Sequence, residues 1–575
     1  MNLNNIKRNQ LDYLLTDILT NELSDRFTYS HFYEYLIGRS DEVKQMYKQL
    51  EETKAKAEGM FQGKKCWASM PLKYSIMKEL HTVREISLVQ PLAAIEMLLF
   101  VGVYQKELLN LLDKNACFSL RYHHRNNDLC YKNKNKSVIR YFYEESKQAG
   151  REVIEQTGMF FNILPYKSIS AFTSSEEWLV LNSKYAYFIK TDYKACFDSI
   201  YTHTYTWLIG KDSIDTKEFN HNSNIYSTID RVLQNINARR SNGIVVGPEF
   251  SRMIAELMLQ SIDVGVNSRL LNSGVICGQD YNVYRYVDDI FIFAKTEELA
   301  NSIVEMYSEL ARKYLLRLND SKLYRSKVPF VLEGWLIEAN LFTNRICEML
   351  FTTKEEQKVY VEREMQMEND DVRPYLLKSY IIRYGSKSKQ SIMNQLNEIV
   401  CKYETKDRTL IAYFLSAILN HIGKNKDKVR IFKKEVSEST VFSFLDLVFY
   451  AYSFFPNYNN TQKLLSIISY VRDEYDIFSK SRSLQNLLNK YAFVFEKANL
   501  NDIVDLFLFC AQAKIEIPYV EEERIIKKLH EKDDPILWAT YLLYSKYNEK
   551  YYYNSATGST LNQTTSRREI KEKAS

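Results

Sequence analysis

At 575 residues the chain is too long for one hydrophobic core, since cores stop growing at roughly 250 to 300 residues, and two or three domains are expected. Hydrophobic residues make up 45%, with 43 Tyr and 30 Phe, which excludes a disordered chain. The net charge of +5 excludes a polycation but permits phosphate-backbone binding in a groove. The eight cysteines, Cys66, Cys117, Cys130, Cys196, Cys277, Cys347, Cys401 and Cys510, form no CxxC pair and have no histidine cluster beside them. A zinc site is therefore not expected. With a polar MNLNNIKRNQ start that cannot serve as a signal peptide, the chain reads as a reduced, cytoplasmic protein.

Residues 1–62 read as an N-terminal helical extension. LDYLLTDILTNEL has helical apolar spacing, and QMYKQLEETKAKAEGMFQ continues it as a charged amphipathic stretch. From 63 to 352 the period mixes. Helical stretches such as AAIEMLLFVGVYQKELLNLL alternate with β-rich runs, YAYFIKTDY, NVYRYVDDIFIFA and FVLEGWLIE. From 353 to 550 helix follows helix: TLIAYFLSAILNHI, LLSIISYVRDEY, SLQNLLNKYAFVFEKA, DIVDLFLFCAQA and ILWATYLLYSKY, with loops such as GKNKDK and FPNYNNT between some of them. This suggests an α-helical repeat array without a nameable signature. VFSFLDLVFYAYSFF, the longest apolar stretch, is too short for a membrane span and carries Asp446, so it reads as a buried helix. Residues 551–575 are polar and aperiodic, a disordered tail.

The sharpest feature is YRYVDDIFIFA, residues 284–294, where Asp288 and Asp289 interrupt an apolar strand pattern. Burying two carboxylates there costs several kcal/mol per charge unless metal or partners compensate. A hairpin with a solvated Asp-Asp tip is the plainer alternative. In YFIKTDYKACFDSIYTHTYTW, residues 187–207, Asp192 ends an apolar strand and a helical pattern begins near Ser199. A strand-end aspartate can share metals with a neighbouring hairpin, the arrangement that nucleotidyl transfer needs for two divalent ions about 3.5 to 4 Å apart. Asp198, just before the helical run, reads as an N-cap. In GIVVGPEFSRMIAELMLQSID, residues 243–263, a glycine loop feeds a helix with Pro248 near its first position. Gly243 and Gly247 would let backbone approach a base closely.

The order and spacing of these segments resemble the reverse-transcriptase palm: an aspartate motif, a Gly-Pro-type helix motif, then a YxDD hairpin. The wording is similar to the prokaryotic abortive-infection and defence-associated reverse transcriptases, where the first motif runs into SIYTH before a Trp (here Ser199 to His203, with Trp207). The second motif is a G-x-x-x-G loop before a serine-arginine helix (here Gly243 to Gly247, with Ser251 and Arg252). The resemblance implies an α+β, right-hand-like fingers and palm followed by an all-α helical-repeat C-terminal domain. It implies Asp192, Asp288 and Asp289 as catalytic acids, with Mg²⁺ as the metal and Mn²⁺ as the alternative. Phe197 would exclude a ribose 2′-hydroxyl, which implies dNTPs as substrates. Gly247 would lie at the nucleotide.

For the triphosphate, Lys73, Arg84, Arg121 and Arg125 are candidates upstream, with Arg121 and Arg125 ranked first because they stand among aromatic and polar residues; a plain solvated charge cluster is the alternative. His123 and His124 read as surface or phosphate-adjacent residues. LRLNDSKLYRS resembles the later palm motif in which a lysine approaches the pyrophosphate, which implies Lys322 as the candidate proton donor; a solvated loop lysine is the alternative. Residues 331–338 would be the hairpin that grips the primer, with Gly334 and Trp335 at its centre. Val245 and Val246 replace the Pro and Gln frequent in retroviral and intron enzymes, a departure that bears on template handling. RNA, DNA or both are the expected polymeric partners, with a noncoding RNA template or protein-primed synthesis among the family's modes, a partner defence protein a further candidate, and homo-oligomers through the helical domain plausible. Two alternatives stand beside this reading: a retron- or intron-like RNA-templated enzyme, and a noncatalytic RNA-binding scaffold.

Overall fold

The computed structural model describes residues 7–19, 22, 29–52, 68–80, 82–131, 158–209, 224–332, 334–350, 385–403, 409–425, 438–475, 481–499, 502–503 and 505–506. At the N-terminal end lie three helices, α1 (Asp12–Thr16), α2 (Ser30–Ile37) and α3 (Ser40–Glu52). Tyr13, Leu14 and Leu15 are fully buried in the same hydrophobic cluster as the residues of the central sheet, so α1 shares the main core. Tyr33 locks the first two helices together, its hydroxyl donating to Asp12 at 2.9 Å.

An antiparallel hairpin follows, β1 (Leu72–Glu79) with β2 (Thr82–Leu88). Pro91 then starts the long helix α4 (Pro91–Lys114), where its missing N–H costs nothing. Two short antiparallel pairs come next: β3 (Arg121–His124) and β4 (Cys130–Tyr131) bond to β6 (Asn162–Pro165) and β5 (Gly158–Met159), respectively. The helices α5 (Ile169–Thr173) and α6 (Glu176–Lys184) are capped by Ser168 and Ser175.

The central sheet has strand order β10-β7-β9-β8, built from β7 (Tyr187–Asp192), β8 (Tyr281–Tyr286), β9 (Asp289–Ala294) and β10 (Tyr324–Lys327), with every neighbouring pair antiparallel. Between β7 and β8 lie α7 (Cys196–Ser199), α8 (Ile225–Asn235) and α9 (Glu249–Asn272); α10 (Glu297–Lys313) follows β9. Both faces of the sheet are covered. Ile290 and Ile292 enter the main core, whereas Phe291 and Phe293 enter an aromatic cluster with Phe188, Phe172 and Trp178. Burial on two sides explains why the DIFIFA run is continuously apolar instead of alternating.

After the sheet, a second hydrophobic cluster runs from Trp335 to Leu506. It is formed by α11 (Trp335–Leu350), α12 (Gly385–Tyr403), α13 (Thr409–Asn425), α14 (Glu438–Phe454), α15 (Tyr458–Tyr475), α16 (Ser481–Lys490) and α17 (Val494–Lys497). Among the described residues this half contains no strand. The expected primer-grip hairpin at 331–338 is corrected: Trp335 opens α11 and is buried in the helical core, because WLIEANLF carries helical apolar spacing that packs against α13. Asp446 does lie in a buried helix. Lys389 and Lys490 bond its carboxylate at 2.5 and 2.7 Å, and although burial pushes the group up, these bonds hold it below its ordinary value. Among the described residues no helix is long and apolar enough to cross a membrane. Most of DIVDLFLFCAQA, all of ILWATYLLYSKY and the 551–575 tail lie outside the described residues.

Candidate active site

The antiparallel register of β7 and β9 sets Asp192 directly opposite Asp289 at the end of the sheet. Because strand side chains alternate, a slip of one residue would throw the two carboxylates to opposite faces. Asp288 sits in the two-residue turn between β8 and β9, and its carbonyl accepts the Tyr193 N–H at 3.3 Å. The turn is strained: Val287 has φ +55°, a left-handed conformation that a β-branched side chain resists at a cost of about 1–3 kcal/mol.

Arg285, fully buried, holds that turn from below. Its Nη1 donates to the Val287 carbonyl at 2.8 Å. Nη1 also donates to Glu256 at 2.9 Å, Nη2 to the same carboxylate at 2.6 Å, and Nε to Asp263 at 2.8 Å. Both acids come from α9, so the helix of the second motif is tied through Arg285 to the third. The motif pattern signalled neither this arginine nor its partners, since a cation inside a strand reads as an exposed position.

Burial raises the Asp288 carboxyl above its ordinary value, and the charges of Asp289 and Asp192 raise it further. Two lysines face them. Lys322 donates to Asp192 Oδ2 at 2.5 Å, and Lys190 lies 3.4 Å from Asp289 Oδ1. The other oxygen, Asp192 Oδ1, is buried without a hydrogen-bond partner. An orphaned carboxylate oxygen beside two more acids fits a hard divalent cation, which favours oxygen donors. Among the described residues no group of three acidic, histidine or cysteine side chains encloses an ion by itself.

The second-motif loop packs onto α7. Ile244 donates to the Phe197 carbonyl at 2.9 Å and Gly243 to the Ile200 carbonyl at 2.9 Å. Gly243 has φ +76°, and a Cβ there would meet the Asp198 carbonyl at 3.2 Å, so both backbone angle and space demand glycine. Phe197, Gly247 and the three acids line one cavity of about 1280 Å³. Asp198 also lines it, and its expected N-cap role is corrected: Ala195 is the cap and Asp198 lies within α7, since the helix starts three residues earlier than its apolar pattern indicated.

Of the expected triphosphate cations, Arg121 lines the cavity but is buried and paired with Glu249 at 2.6 Å. His123 is buried too, with Nε2 at 3.1 Å from the same carboxylate, which corrects its reading as a surface residue. Burial alone would raise Glu249, yet Arg121, His123 and Arg252 hold it well below the usual carboxylate range. Arg125 is exposed and does not line the cavity. Lys73 pairs with Glu85 on the β1–β2 hairpin, whereas the neighbouring Arg84 lines the cavity and lowers the Asp288 carboxyl by its charge. Gly334 and Trp335 do not line the cavity. The helical half does reach it, through Ser416, Asn457, Tyr458, Asn459 and Lys463, residues that no motif had marked.

Burial alone would lower the Lys322 ammonium, but its bond to Asp192 and the charges of Asp288 and Asp289 raise it, so it stays protonated at neutral pH. Replacing Lys322 with Ala is expected to slow nucleotide incorporation about 10²-fold, the scale of a lost general acid. The same change should lower the half-saturating Mg²⁺ concentration, because the ammonium competes for Asp192 Oδ2. A Mg²⁺ titration of incorporation reads both; an unchanged rate would remove Lys322 from the chemistry.

Residues 147–334 match the family model described as reverse transcriptase (RNA-dependent DNA polymerase). The chain thus contains an RNA-directed DNA polymerase domain, and the three acids and both glycines fall inside it. No curated protein matches the chain. Among solved structures, apo telomerase from Candida tropicalis is similar at 11% identity and TM-score 0.30, with 75% of this chain and 66% of that one covered. Telomerase from Candida albicans in complex with a fragment of telomeric RNA is similar at 11% identity and TM-score 0.24, with 78% and 66% covered. The chain spans about two thirds of the length of these structures.

Proposed function

We propose that the protein is a defence-associated reverse transcriptase that polymerises dNTPs into DNA. The observation that carries the polymerase reading is the register of Asp192 on Asp289, with Asp288 in the adjoining turn. Asp192, Asp288 and Asp289 would hold divalent metal, Mg²⁺ in the first instance. Bound there, divalent metal would supply activation of the attacking 3′-oxygen and charge neutralisation on the leaving pyrophosphate. The chain's own task is positioning. Phe197 walls the nucleotide site where a 2′-hydroxyl would project, Gly247 admits the nucleotide to the backbone, and Arg84 offers a cation from the β1–β2 hairpin. Lys322, held beside the acids by its bond to Asp192, is the group placed to deliver a proton to the pyrophosphate oxygen.

The antiphage role rests on the resemblance of the SIYTH-to-Trp207 and Gly243-to-Arg252 segments, and the helical half lining the same cavity is compatible with a dedicated enzyme of that kind. A DNA strand copied from a noncoding RNA template and one grown without a template or from a protein hydroxyl are both open to such a site. Purified protein incubated with Mg²⁺ and each labelled dNTP or rNTP, with and without its copurifying nucleic acid, is expected to yield alkali-resistant, DNase-sensitive product from dNTPs alone. Label that resists phenol extraction until protease is added would mark protein priming. The absence of incorporation under every condition would overturn the polymerase in favour of a nucleic-acid-binding scaffold.

A further inference from the structure

We propose that Lys463, on a helix of the C-terminal half, is a phosphate-contacting residue of the polymerase cavity, so that both halves of the chain build one substrate site. The inference rests on the polymerase reading and deepens it. The loop FPNYNNT ends α14 and turns directly into α15, and Asn457, Tyr458, Asn459 and Lys463 line the cavity together with Asp192, Asp288 and Asp289. The N-terminal end of a helix of 18 residues is thereby presented to the acids' cavity, and such an end carries partial positive charge.

Lys463 is the independent observation. It is 6% exposed, yet among the described residues its one hydrogen bond runs from Nζ to the Ala412 carbonyl at 3.0 Å, which leaves two of its three donors without an acceptor among them. No carboxylate pairs with it among the described residues. The contrast lies in the same half of the chain, where Lys389 and Lys490 share Asp446. A buried ammonium without a counter-charge is costly, and burial alone pushes it down to about 8, so at neutral pH it is still mainly charged. An anion entering the cavity would remove that cost. In a polymerase cavity the available anion is phosphate, either the triphosphate of the nucleotide or a phosphodiester of the growing strand.

The test uses the full chain with Lys463→Met, which keeps the aliphatic stem and deletes the charge, and with Lys463→Arg. Binding of inorganic tripolyphosphate without metal and of a fluorescent oligodeoxynucleotide is measured for each, alongside the KM for dNTP. Lys463→Met is expected to weaken at least one of the two ligands by about 10-fold, the loss of one charge-assisted hydrogen bond, and Lys463→Arg to restore it. Loss of tripolyphosphate with a raised KM identifies the nucleotide as the source; loss of oligonucleotide with shorter products and an unchanged KM identifies the strand. Both affinities within twofold of the parent would overturn the proposal. Lys463→Met should melt no lower than the parent, since it removes an unpaired buried charge, and Lys463→Gln carries the same comparison should the methionine variant not fold. If the parent incorporates no nucleotide but the affinity loss persists, the polymerase reading fails while the anion site stands.

Discussion

Exchanging Asp288 and Asp289 together for Asn should abolish nucleotide incorporation, by at least about 10⁴-fold, equivalent to roughly 5.4 kcal/mol of transition-state stabilisation. The fold should survive, and the sign of the charge effect says more. The Asp288 carboxyl is raised from its ordinary value of 3.8 by burial first and then by Asp289 and Asp192. A group so raised favours the folded state only below its unfolded value, and that contribution is lost as pH climbs through the higher folded value. Above that raised value the ionised Asp288 therefore weakens the metal-free protein, and the Asn pair relieves it. In EDTA the variant should melt at or above the parent temperature. Mg²⁺ should raise the melting temperature of the parent alone, because binding to the native state is what stabilises. Thermal melts with and without Mg²⁺, run beside the incorporation assay, check each part; retained incorporation would remove the proposed site.

Arg285→Met is expected to produce the largest loss of stability of any single change near the turn, about 3–5 kcal/mol, because Glu256 and Asp263 would stay buried without their cation. Adding Glu256→Gln and Asp263→Asn should recover much of that stability. Incorporation in the triple variant should remain about 10- to 100-fold down, since the Val287 carbonyl has lost the donor that restrains a strained backbone. Denaturant unfolding and incorporation, measured on the single and triple variants, separate the two effects. Full recovery of both would reduce Arg285 to a structural ion pair with no part in aiming the acids.

The palm was legible because its chemistry forces rare residue types into a fixed order. Two aspartates inside an apolar strand and a third at a strand end have few bland explanations once they share a sheet, and strand register then brings them together. Gly243 stood out in the sequence for approach to a base, whereas what demands glycine in the fold is its positive φ and the Asp198 carbonyl packed against it. The surrounding cations were not. Arg121 and Arg125 look alike in sequence, and only tertiary packing decides that the first is neutralised by Glu249 while the second points elsewhere. The 331–338 segment failed because a short apolar run with a glycine fits a hairpin or a helix start equally well, and the extension into α11 settled it. Lys463 was hidden in a helix whose other residues are core, and nothing local reveals that a distant sheet lies across from it.

The placement of α1 bears on how the catalytic unit can be dissected. The Asp17 carbonyl accepts the N–H of Glu249 at the start of α9, at 2.8 Å, its carboxylate accepts the Phe160 N–H at 2.7 Å, and Thr16, Asp17 and Leu19 form part of the cavity wall. A fragment trimmed to the conventional boundaries, 147–334, would discard that wall along with the β1–β2 hairpin and leave α9 without its N-terminal brace. The proposed active site thus draws on more of the chain than its recognisable signature, and shortening the chain from the front amputates cavity wall before it reaches Asp192, Asp288 or Asp289.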